Sequence, residues 1–291
     1  MIAKKLTIII PAFSGQEQIR KCLQSLSISS YQDLDIVIVD HGISDEISFM
    51  VNREFPNVTC LRASPDLWWS GATNIGIKHA IKEGSTLVML LNHDCYTHID
   101  TIEKLLLATF EKPDLIVAPV QHNPRTQKNT LGIWTCFLLG FTTVTPPAFI
   151  YKIMRKSGLI PTGLIPGGRG VVIHTSTFKK VGLLDEEHFP HYYADHDFYI
   201  RCKKSGIKLF IHSDAVVEID DTKTSSAEGI QSIGELLSSL KNRNSHRNLK
   251  DVHALMSRYY PIPGLAAIGV ALNLLRFLLV NSTKRLLALK Y

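Results

Sequence analysis

Short, uninterrupted apolar runs alternate with amphipathic segments over the first 120 residues, and this alternation limits the chain to few folds. Four of these runs have the length of strands buried on both faces: residues 7–11, 34–40, 87–91 and 114–120. The segment 71–84 has apolar residues at helical spacing, and Gly84 marks its end. Strands that alternate with helices predict βαβ units, so the sequence predicts an α/β fold with a mostly parallel sheet.

Polar side chains directly follow two of the apolar runs. Asp40 ends one run, and Asn92, His93 and Asp94 come after another. In sheets of this kind, ligands bind beyond the carboxyl ends of the strands. We therefore expect a ligand site at this edge of the sheet, together with the turn after Pro11.

The composition fits one large domain with a smaller addition. The chain has 291 residues, of which 45% are hydrophobic and 20% are charged. We predict an α/β domain over 1–221 and a smaller, basic helical region over 222–291. The net charge of +6 suits phosphate ligands or an anionic membrane surface. The sequence has no zinc finger, RNA-recognition signature or long basic stripe, so nucleic acid is not a predicted partner.

The short motifs exclude several classes of protein. The five cysteines are isolated and form no CxxC pair, which favours a reducing cytosol over a disulfide framework or a structural zinc site. After the first apolar run the chain reads PAFSGQEQ, which has neither the GxGxxG pattern nor a Walker loop. Binding of NAD, or of ATP in the usual phosphate loop, is therefore not supported.

Five longer segments occur in an order that is typical of one family: TIIIPAFSGQEQIRKCLQSL, IVIVDHGISDE, GATNIGIKHA, LLNHD and VGLLDEEHFPHYYADHDFYIRCKKSG. Over roughly residues 5 to 220, the chain resembles the family 2 glycosyltransferases. That family has the GT-A fold and uses nucleotide-diphosphate sugars, so the resemblance implies a Rossmann-like sheet with helices on both faces. It also implies that 1–221 is the catalytic domain, with a nucleotide-binding half (about 1–120) and an acceptor half (about 121–221). The LWWSGATNIGI and LLNHD segments are most similar to bacterial rhamnosyltransferase-type members.

The resemblance implies a donor site around Asp40, whose carboxylate would accept the N3–H of a uracil or thymine ring. A carboxylate suits this partner because its ionised form only accepts hydrogen bonds. The other donor-binding residues implied are Pro11, Ala12 and Phe13 through their backbone, Arg62 near the base, Asn74 and Gly76 of an Asn-x-Gly pattern, and Asn92 and His93 beside Asp94. A solvated charge at the end of a strand explains Arg62 equally well.

Asp94 is the implied metal ligand. In the family, an acidic DxD-type motif after this strand holds a divalent cation on the diphosphate, and here the motif reads Asn92-His93-Asp94. Hard cations take oxygen ligands, so we expect Mg²⁺ or Mn²⁺. Many relatives have a metal-binding His after the strand that matches AVVEI, where this chain has Glu218 and Asp220. Either an acidic residue substitutes, or Asp94 and phosphates hold the metal alone; capping of the next helix is the purely structural role for Asp94.

Asp195 is the implied catalytic base. Inverting transferases need a base that deprotonates the acceptor hydroxyl, and Ala194-Asp195-His196-Asp197 resembles the family's Glu-Asp-x-Asp motif, with Ala194 in place of the first Glu. Asp197 and Arg201 lie four residues apart on one expected helix, where they can form an ion pair. A role for Asp195 as an N-cap is compatible with catalysis.

Four residues are implied to contact the sugar, the acceptor or the diphosphate. Gly168, in PGGRGVV, allows close approach of the backbone to a sugar, and Arg169 can contact phosphate, although a tight turn is an equal alternative. Trp69 is expected to stack on the sugar or base, while packing is the commoner role of a large aromatic residue. Arg247 can reach the diphosphate or, with equal weight, lie on a solvated basic helix face.

The C-terminal segment 262–280 is apolar and approaches the length of a transmembrane helix. Asn273 and Arg276 interrupt it, and on a helix several leucines lie on a different face from these two residues. This pattern is typical of an interfacial helix, so we predict peripheral contact with the inner face of the cell membrane. A helix packed on the catalytic domain, or on a second subunit in a homodimer, explains the pattern equally well.

The sequence as a whole predicts an inverting glycosyltransferase. It would move a hexose or deoxyhexose from a UDP- or dTDP-sugar to a hydroxyl of a cell-envelope glycan, including a lipid-linked one, in the cytoplasm or at the inner face of the membrane. Two alternatives remain open. A sugar nucleotidyltransferase would need a basic triphosphate loop, which AFSGQEQ lacks, and a non-catalytic sugar or nucleotide binder would explain Asn92, Ala194 and the missing His.

Overall fold

The computed structural model describes residues 6–220 and 233–288, with the backbone alone at Ala148, Ile233, Leu236 and 280–288. The chain divides into two compact units. Unit 1 comprises Met1–Ile133, Thr145–Pro190 and Ala194–Asp221, and unit 2 comprises Trp134–Val144, His191–Tyr193 and Thr222–Tyr291. The domain boundary that we predict between 221 and 222 lies outside the described residues, and the division into domains stays a prediction.

Unit 1 has the alternating order of strands and helices that the apolar runs predict. Its strands are β1 (Leu6–Ala12), β2 (Leu34–Asp40), β3 (Thr59–Arg62), β4 (Leu87–Leu91), β5 (Cys95–Thr97), β6 (Leu115–Asn123), β7 (Lys128–Thr130), β10 (Leu159–Pro161), β11 (Arg169–His174) and β12 (Lys208–Ile219). Its helices are α1 (Gln16–Ser27), α2 (Glu46–Glu54), α3 (Trp68–Lys82), α4 (Thr101–Thr109), α5 (Ala148–Met154), α6 (Thr175–Val181) and α7 (Ala194–Lys204).

One ten-stranded sheet runs through unit 1, in the order β10-β12-β6-β11-β4-β1-β2-β3, with β5 paired to β12 and β7 paired to β6. The stretch β4-β1-β2-β3 is parallel throughout, and β6 and β12 are also parallel. β11 lies antiparallel between β4 and β6. The α/β class with a mostly parallel sheet is confirmed.

Helices cover both faces of the sheet, which explains why β1 is buried at every position. Successive residues of a strand point to opposite faces. Ile8 and Ile10 lie in the main core with residues of α1, α2 and α4, such as Ile19, Met50 and Ile102. On the other face, α3 packs on β1 and β2, where Ala72 lies in a second cluster with Val37 and Val39.

The second half of unit 1 has more strand than the sequence indicates. The stretch 121–166, which we expect to be loops with one short helix, contributes the end of β6, then β7, α5 and β10. We also expect two strands after residue 206, but β12 is continuous from Lys208 to Ile219. A shift in register between His212 and Val216 accommodates the polar residues in the middle, so the hydrophobic pattern breaks while the strand continues.

The described part of unit 2 contains a hairpin and three helices: β8 (Trp134–Cys136), β9 (Thr142–Val144), α8 (Ile233–Lys241), α9 (Leu249–Tyr259) and α10 (Ala266–Ala288). The turn of the hairpin carries Phe137, whose ring centroid lies 5.0 Å from that of Phe141 and 5.7 Å from that of Tyr259 on α9. Within the described residues, no helix has both the length and the apolar character that crossing a membrane requires.

Candidate active site

The register of the strands brings several predicted residues to one edge of the sheet. Ala12 at the end of β1 lies beside Asp40 at the end of β2, and Asp40 lies beside Arg62 at the end of β3. On the other side of β1, β4 ends at Leu91 opposite Arg169 of β11. The carboxyl edge therefore carries the candidates for base binding and those for the diphosphate and sugar on neighbouring strands.

Asp40 is fully buried and makes four hydrogen bonds within the protein. Its Oδ1 accepts from the backbone N–H of Gly42 (3.0 Å) and from Nη1 of Arg62 (3.1 Å). Its Oδ2 accepts from the backbone N–H of Ser48 (3.1 Å) and from the Ser48 hydroxyl (2.5 Å). Because a carboxylate has about four acceptor positions, recognition of a base N3–H by Asp40 would need one of these donors, most simply Arg62, to move.

Arg62 lies on the solvent side of Asp40 and makes further hydrogen bonds there. Its Nη1 also donates to the backbone carbonyl of Asp40 (3.1 Å), and its Nε donates to Oδ1 of Asp45 (2.8 Å). Pro11 and Ala12 are buried in β1, whereas Phe13 is 44% exposed, with its ring centroid 5.4 Å from that of His41. The exposed Phe13 ring and the Arg62 guanidinium are therefore the groups that an incoming base can reach.

Asn74 and Gly76 meet the protein itself rather than open space. The Asn74 side chain is 2% exposed; its Nδ2 donates to the carbonyl of Leu184 and to Oε2 of Glu186, and its Oδ1 accepts from the Leu184 N–H. A Cβ on Gly76 would lie 2.3 Å from Cγ2 of Ile9, so Gly76 is needed for α3 to pack on β1. Their predicted contact with the nucleotide stays a prediction, and the structure gives each a clear role in packing.

Asn92, Trp69 and Gly168 form one connected group. The Trp69 indole N–H donates to Oδ1 of Asn92 (3.0 Å), and the Asn92 backbone N–H donates to the Gly168 carbonyl (2.9 Å). A Cβ on Gly168 would lie 2.7 Å from Cζ2 of Trp69, so the indole lies directly against the Gly168 backbone. Trp68, the residue before Trp69, has φ +53° and ψ −166°, a conformation that is costly for a bulky residue.

Asp195 joins this group through the neighbouring peptide. Its Oδ2 accepts from the backbone N–H of Gly167 (2.8 Å), while the Tyr199 hydroxyl donates to the Gly167 carbonyl (3.2 Å). The Asp195 carboxylate also pairs with Nδ1 of His196 at 3.0 Å. Burial raises the pKa of Asp195, but the His196 partner and the two backbone N–H donors outweigh it, so the pKa lies below its ordinary value. The carboxylate is therefore ionised, as a base must be.

Arg169 follows this glycine pair and is held by Gln121. Its Nη1 donates to Oε1 of Gln121 (3.0 Å), and the Gln121 amide donates to the Pro166 carbonyl (2.5 Å). The Nε of Arg169 is buried and makes no hydrogen bond to a described residue. On α7, Asp197 and Arg201 pair at 2.8 Å, as their spacing predicts.

Asp94 and His93 lie in the turn between β4 and β5. A Cβ on Gly15 would lie 3.3 Å from Nε2 of His93, which places the imidazole beside the first turn of α1. The backbone N–H of Asp220 donates to the Asp94 carbonyl (2.9 Å), and the Tyr96 hydroxyl lies 3.3 Å from Oδ2 of Asp220. Asp220 therefore lies next to Asp94, at the place where the resemblance implies a His in many relatives.

The oxygen ligands at this place suit a hard cation, but they are few. No group of three or more His, Cys, Asp or Glu side chains able to hold a metal ion occurs within residues 6–220 and 233–288. Mg²⁺ commonly takes one or two carboxylates and completes its shell with substrate phosphates and water. Asp94, with Asp220 beside it, matches that pattern.

Arg247 belongs to unit 2, where its guanidinium carbon lies 5.0 Å from the centroid of the Phe277 ring. Arg276 lies 4.8 Å from the same centroid. The Nε atoms of both arginines are buried and make no hydrogen bond to any residue described in the structure. Burial lowers the pKa of Arg247. Two arginines that pair with no carboxylate of the described residues suit a phosphate group.

Several residues of this site carry no signal in the sequence. Ser48, Gln121 and Tyr199 make hydrogen bonds with Asp40, Arg169 and the Gly167 carbonyl. Each contact joins distant parts of the chain or depends on a turn, and no spacing rule identifies it. Gly167, whose N–H donates to Asp195, does lie in a segment with a signal, because the glycines of PGGRGVV predict a special backbone.

The comparison with known families is decisive at the family level. The model described as Glycosyl transferase family 2 matches residues 7–170, which is more than half of the chain. The chain belongs to glycosyl transferase family 2. The matched range contains Asp40, Asn74, Asp94 and Gly168, while Asp195 lies beyond its end. The resemblance that the motifs indicate is therefore confirmed for the family.

Two curated relatives are also glycosyltransferases. An uncharacterized glycosyltransferase of Haemophilus influenzae is 23% identical over 177 residues, which cover 61% of this chain and 55% of the relative. The low-salt glycan biosynthesis hexosyltransferase Agl10 of Haloferax volcanii is 22% identical over 217 residues, which cover 70% of this chain and 63% of the relative. The chain thus spans less than two thirds of the length of either protein.

Two solved structures show the same fold. GalNAc-T7, crystallised with UDP, GalNAc and Mn²⁺, has a TM-score of 0.61 at 13% identity, over 89% of this chain and 58% of that one. TarS 1-349 of S. aureus has a TM-score of 0.55 at 12% identity, over 93% of this chain and 70% of that one. At such low identity the likeness establishes the fold, which is GT-A, and not the substrates.

Proposed function

We propose that this glycosyltransferase is inverting and moves a hexose or deoxyhexose from a UDP- or dTDP-sugar to a hydroxyl of a cell-envelope glycan. The observation that carries the proposal is the connected group at the sheet edge. Hydrogen bonds and close contacts run from the Asp195 carboxylate through Gly167 and Gly168 to Asn92 and the Trp69 indole. The proposed base and an aromatic side chain are thereby connected to Asn92, two residues before Asp94.

The donor nucleotide would lie over the ends of β1 and β2. Phe13 and Arg62 offer exposed groups to a uracil or thymine ring, with Asp40 behind them. Pro11 and Ala12 would contribute backbone atoms. His93, beside the first turn of α1, would lie near the nucleotide phosphates or ribose.

Asp94, with Asp220 beside it, would hold Mg²⁺ or Mn²⁺ together with the diphosphate oxygens. When bound, such an ion offsets the charge that develops on the departing diphosphate. The protein's own part is to hold the turn that carries Asp94, because the backbone N–H of Asp220, just after β12, donates to the Asp94 carbonyl.

The acceptor would approach from the side of α7. Asp195 would take the proton of the attacking hydroxyl, and His196 would steady the carboxylate. Trp69 and Gly168 would contact the sugar, and the buried Nε of Arg169 would face a polar or anionic group. Asn74 and Gly76 would act indirectly, because they fix α3 and therefore Trp69.

Several finer points belong to the same proposal. Similarity to rhamnosyltransferase-type members favours a dTDP-deoxyhexose as donor. Arg247 would bind a phosphate group, because no described carboxylate pairs with it. A lipid-linked acceptor would place the enzyme in the cytoplasm at the inner face of the cell membrane. A homodimer stays open, and nucleic acid has no part in this scheme.

Turnover assays with nucleotide sugars test the proposal. We expect purified protein with Mg²⁺ or Mn²⁺ to transfer sugar from a UDP- or dTDP-sugar to a glycan acceptor. Asp195→Asn should lower kcat by about 10²- to 10⁴-fold, the usual effect of losing a general base, while the donor still raises the melting temperature. Asp214→Asn is the matched control, because Asp214 is an exposed acid paired with Arg155 and lies on β12, whereas Asp195 lies on α7.

Three results would contradict the proposal. Equal turnover by the wild type and Asp195→Asn would exclude Asp195 as the base. Binding of a nucleotide sugar without any turnover would favour a non-catalytic binder. Formation of the nucleotide sugar from a triphosphate would favour a nucleotidyltransferase.

A further inference from the structure

Helix α10 of unit 2 is turned so that its apolar side faces solvent. Asn273 is only 1% exposed, and Arg276 is partly buried on the same inner side. In contrast, Ile268 is 46%, Leu275 51% and Leu279 59% exposed. These apolar residues recur every four to seven positions, which places them along one helical stripe. If packing within unit 2 alone determined the orientation of α10, its apolar side would face inward and its polar side would face solvent.

The orientation is fixed by the hairpin of unit 2. The Asn273 amide donates to the carbonyl of Gly140 in the turn between β8 and β9 (2.6 Å). A Cβ on Gly140 would lie 2.4 Å from the backbone N of Asn273, so the turn is pressed against the helix. Gly140 has φ +69°, which favours glycine in any case. Asn273, which interrupts the apolar run, therefore fixes α10 to the hairpin from the inside of unit 2.

The contact between Asn273 and Gly140 places the apolar tip of the hairpin beside α10. Leu138 and Leu139, at the tip of the hairpin and next to Gly140 in the chain, are 49% and 60% exposed. We call the exposed residues of the tip and the helix the apolar face of unit 2: Leu138, Leu139, Ile268, Leu275, Leu278 and Leu279. Large exposed apolar patches on soluble domains mark sites of interaction.

The charge of unit 2 indicates what covers this face. Residues 233–288 contain eight basic and two acidic residues, so they carry a net charge of +6, the same as the whole chain. The hairpin 134–144 contains no charged residue. An anionic lipid surface offers both hydrocarbon for leucines and negative charge for lysines and arginines. We propose that the apolar face of unit 2 docks in the interface of an anionic lipid bilayer.

A second copy of the chain is the less suitable occupant. A symmetric dimer through this face would bring together two units that each carry this positive charge, and like charges oppose such a contact. A bilayer with anionic lipids is complementary instead. The inference depends on surface and charge in unit 2 and does not rest on the proposed sugar transfer.

Vesicle flotation of the full chain tests the inference. We expect the wild type to float with vesicles of phosphatidylcholine and phosphatidylglycerol, more weakly with phosphatidylcholine alone, and less as the salt concentration rises. The double variants Leu275→Gln/Leu279→Gln and Leu138→Ser/Leu139→Ser should each partition at least about tenfold less, the effect of one leucine kept out of hydrocarbon. Leu107→Gln on α4 of unit 1 is the matched control, because Leu107 is 74% exposed and should have no effect.

Flotation and light scattering decide the inference, and melting temperatures check that the variants fold. Unchanged melting temperatures would show that the double variants fold, as expected for exposed positions. Absence of wild-type flotation with the anionic vesicles would overturn the inference, as would equal flotation by wild type and both double variants. If light scattering shows a dimer that Leu275→Gln/Leu279→Gln dissociates, while vesicles are not bound, a second copy is the occupant. Because flotation does not measure turnover, failure here leaves the proposed sugar transfer untouched.

Discussion

At the scale of single residues, Asp40 shows how a predicted ligand contact can also be a structural centre. Four protein donors surround its buried carboxylate. In Asp40→Asn the new NH₂ group would face the backbone N–H of Gly42 or Ser48. Two hydrogen-bond donors would then point at each other, and the buried N–H would lose its acceptor. We expect a loss of about 2–4 kcal/mol in the free energy of unfolding, the cost of breaking a buried charged network from one side.

Urea denaturation of Asp40→Asn and Asp45→Asn checks this expectation. Asp45 is the matched control, because it also pairs with Arg62 but its side chain is 84% exposed. Such a surface pair contributes about 0–1 kcal/mol. Equal losses for the two variants would mean that the buried network around Asp40 does not form as described.

The Asp195 carboxylate links the candidate base to acid stability. Burial raises its pKa, yet His196 and the N–H groups of Gly167 and His196 bring the pKa below the ordinary value. A carboxyl with a lowered folded-state pKa stabilises the fold above its unfolded pKa, about 3.9, and this contribution is lost as the pH falls through the folded pKa. Asp195→Asn lacks the contribution at every pH.

The difference in unfolding free energy between the wild type and Asp195→Asn should therefore be largest above about pH 4 and shrink below it. Urea denaturation at several pH values between neutral and strongly acidic measures this difference. A difference that stays constant over that range would show that the pKa of Asp195 is not lowered in the folded state.

The sequence predicts some residues of the site better than others. Asp40, Asp94 and Arg169 follow from strand ends and glycine-rich turns, because those patterns fix where a side chain emerges. The hydrogen-bond partners of the site residues in the folded protein cannot be predicted in this way. The Asn74 amide donates to Leu184 and Glu186, which lie more than 100 residues away in the chain. No local spacing of residues predicts such a contact.

At the scale of secondary-structure elements, the close fit of α3 on the sheet depends on one glycine. A Cβ on Gly76 would lie 2.3 Å from Cγ2 of Ile9. Gly76→Ala should therefore push α3 from β1 and cost about 1–3 kcal/mol of unfolding free energy, despite the better helix propensity of alanine. Lys78→Ala, at an exposed position of α3, is the control and should change little.

A double-mutant cycle with Ile9→Ala identifies the cause of that loss. Removing the Cγ2 of Ile9 makes room for the added methyl group, so the double variant should cost less than the sum of the single variants, by at least about 0.5 kcal/mol. Denaturant unfolding of the four proteins gives the coupling. Strict additivity would mean that α3 responds to the substitution without contact with β1.

Element prediction succeeded where one period holds over a whole strand or helix. β1, β2, β4 and the first part of β6 are mainly apolar runs, and α1 keeps its buried residues at helical spacing. It failed where polar residues interrupt a continuous element, as in β12, or where strands of three residues, such as β7, exist only through pairing with a neighbour. In those cases a long-range pair supplies the order that the local pattern lacks.

At the scale of the whole molecule, the charge is divided unequally between the two units. Residues 233–288 of unit 2 already carry a net charge equal to that of the full chain, so the charges of unit 1 nearly cancel. One acid lies buried in this basic unit. Asp251 is 0% exposed, and its two carboxylate oxygens have no hydrogen-bond partner among the described residues.

Asp251 should make the stability of unit 2 fall as the pH rises. Burial raises its pKa to about 6, and Arg243 and Lys250 only partly oppose this. Between about pH 4, the unfolded value, and pH 6 the folded unit holds a proton that the unfolded chain has released, so the unfolding free energy decreases through this window. At pH 8 Asp251→Asn should therefore be more stable than the wild type by about 1–2 kcal/mol, after allowance for solvent screening.

Hydrogen exchange resolves this prediction unit by unit. After correction for intrinsic exchange rates, the protection of α9 amides in the wild type should fall between pH 5 and pH 8, while Asp251→Asn should keep its protection. Amides of β1 in unit 1 are the internal reference, since Asp251 belongs to unit 2. Protection of α9 that is independent of pH in the wild type would mean that the carboxyl finds a partner in solution. A fall of equal size in Asp251→Asn would assign the titration to another group, because asparagine cannot lose that proton.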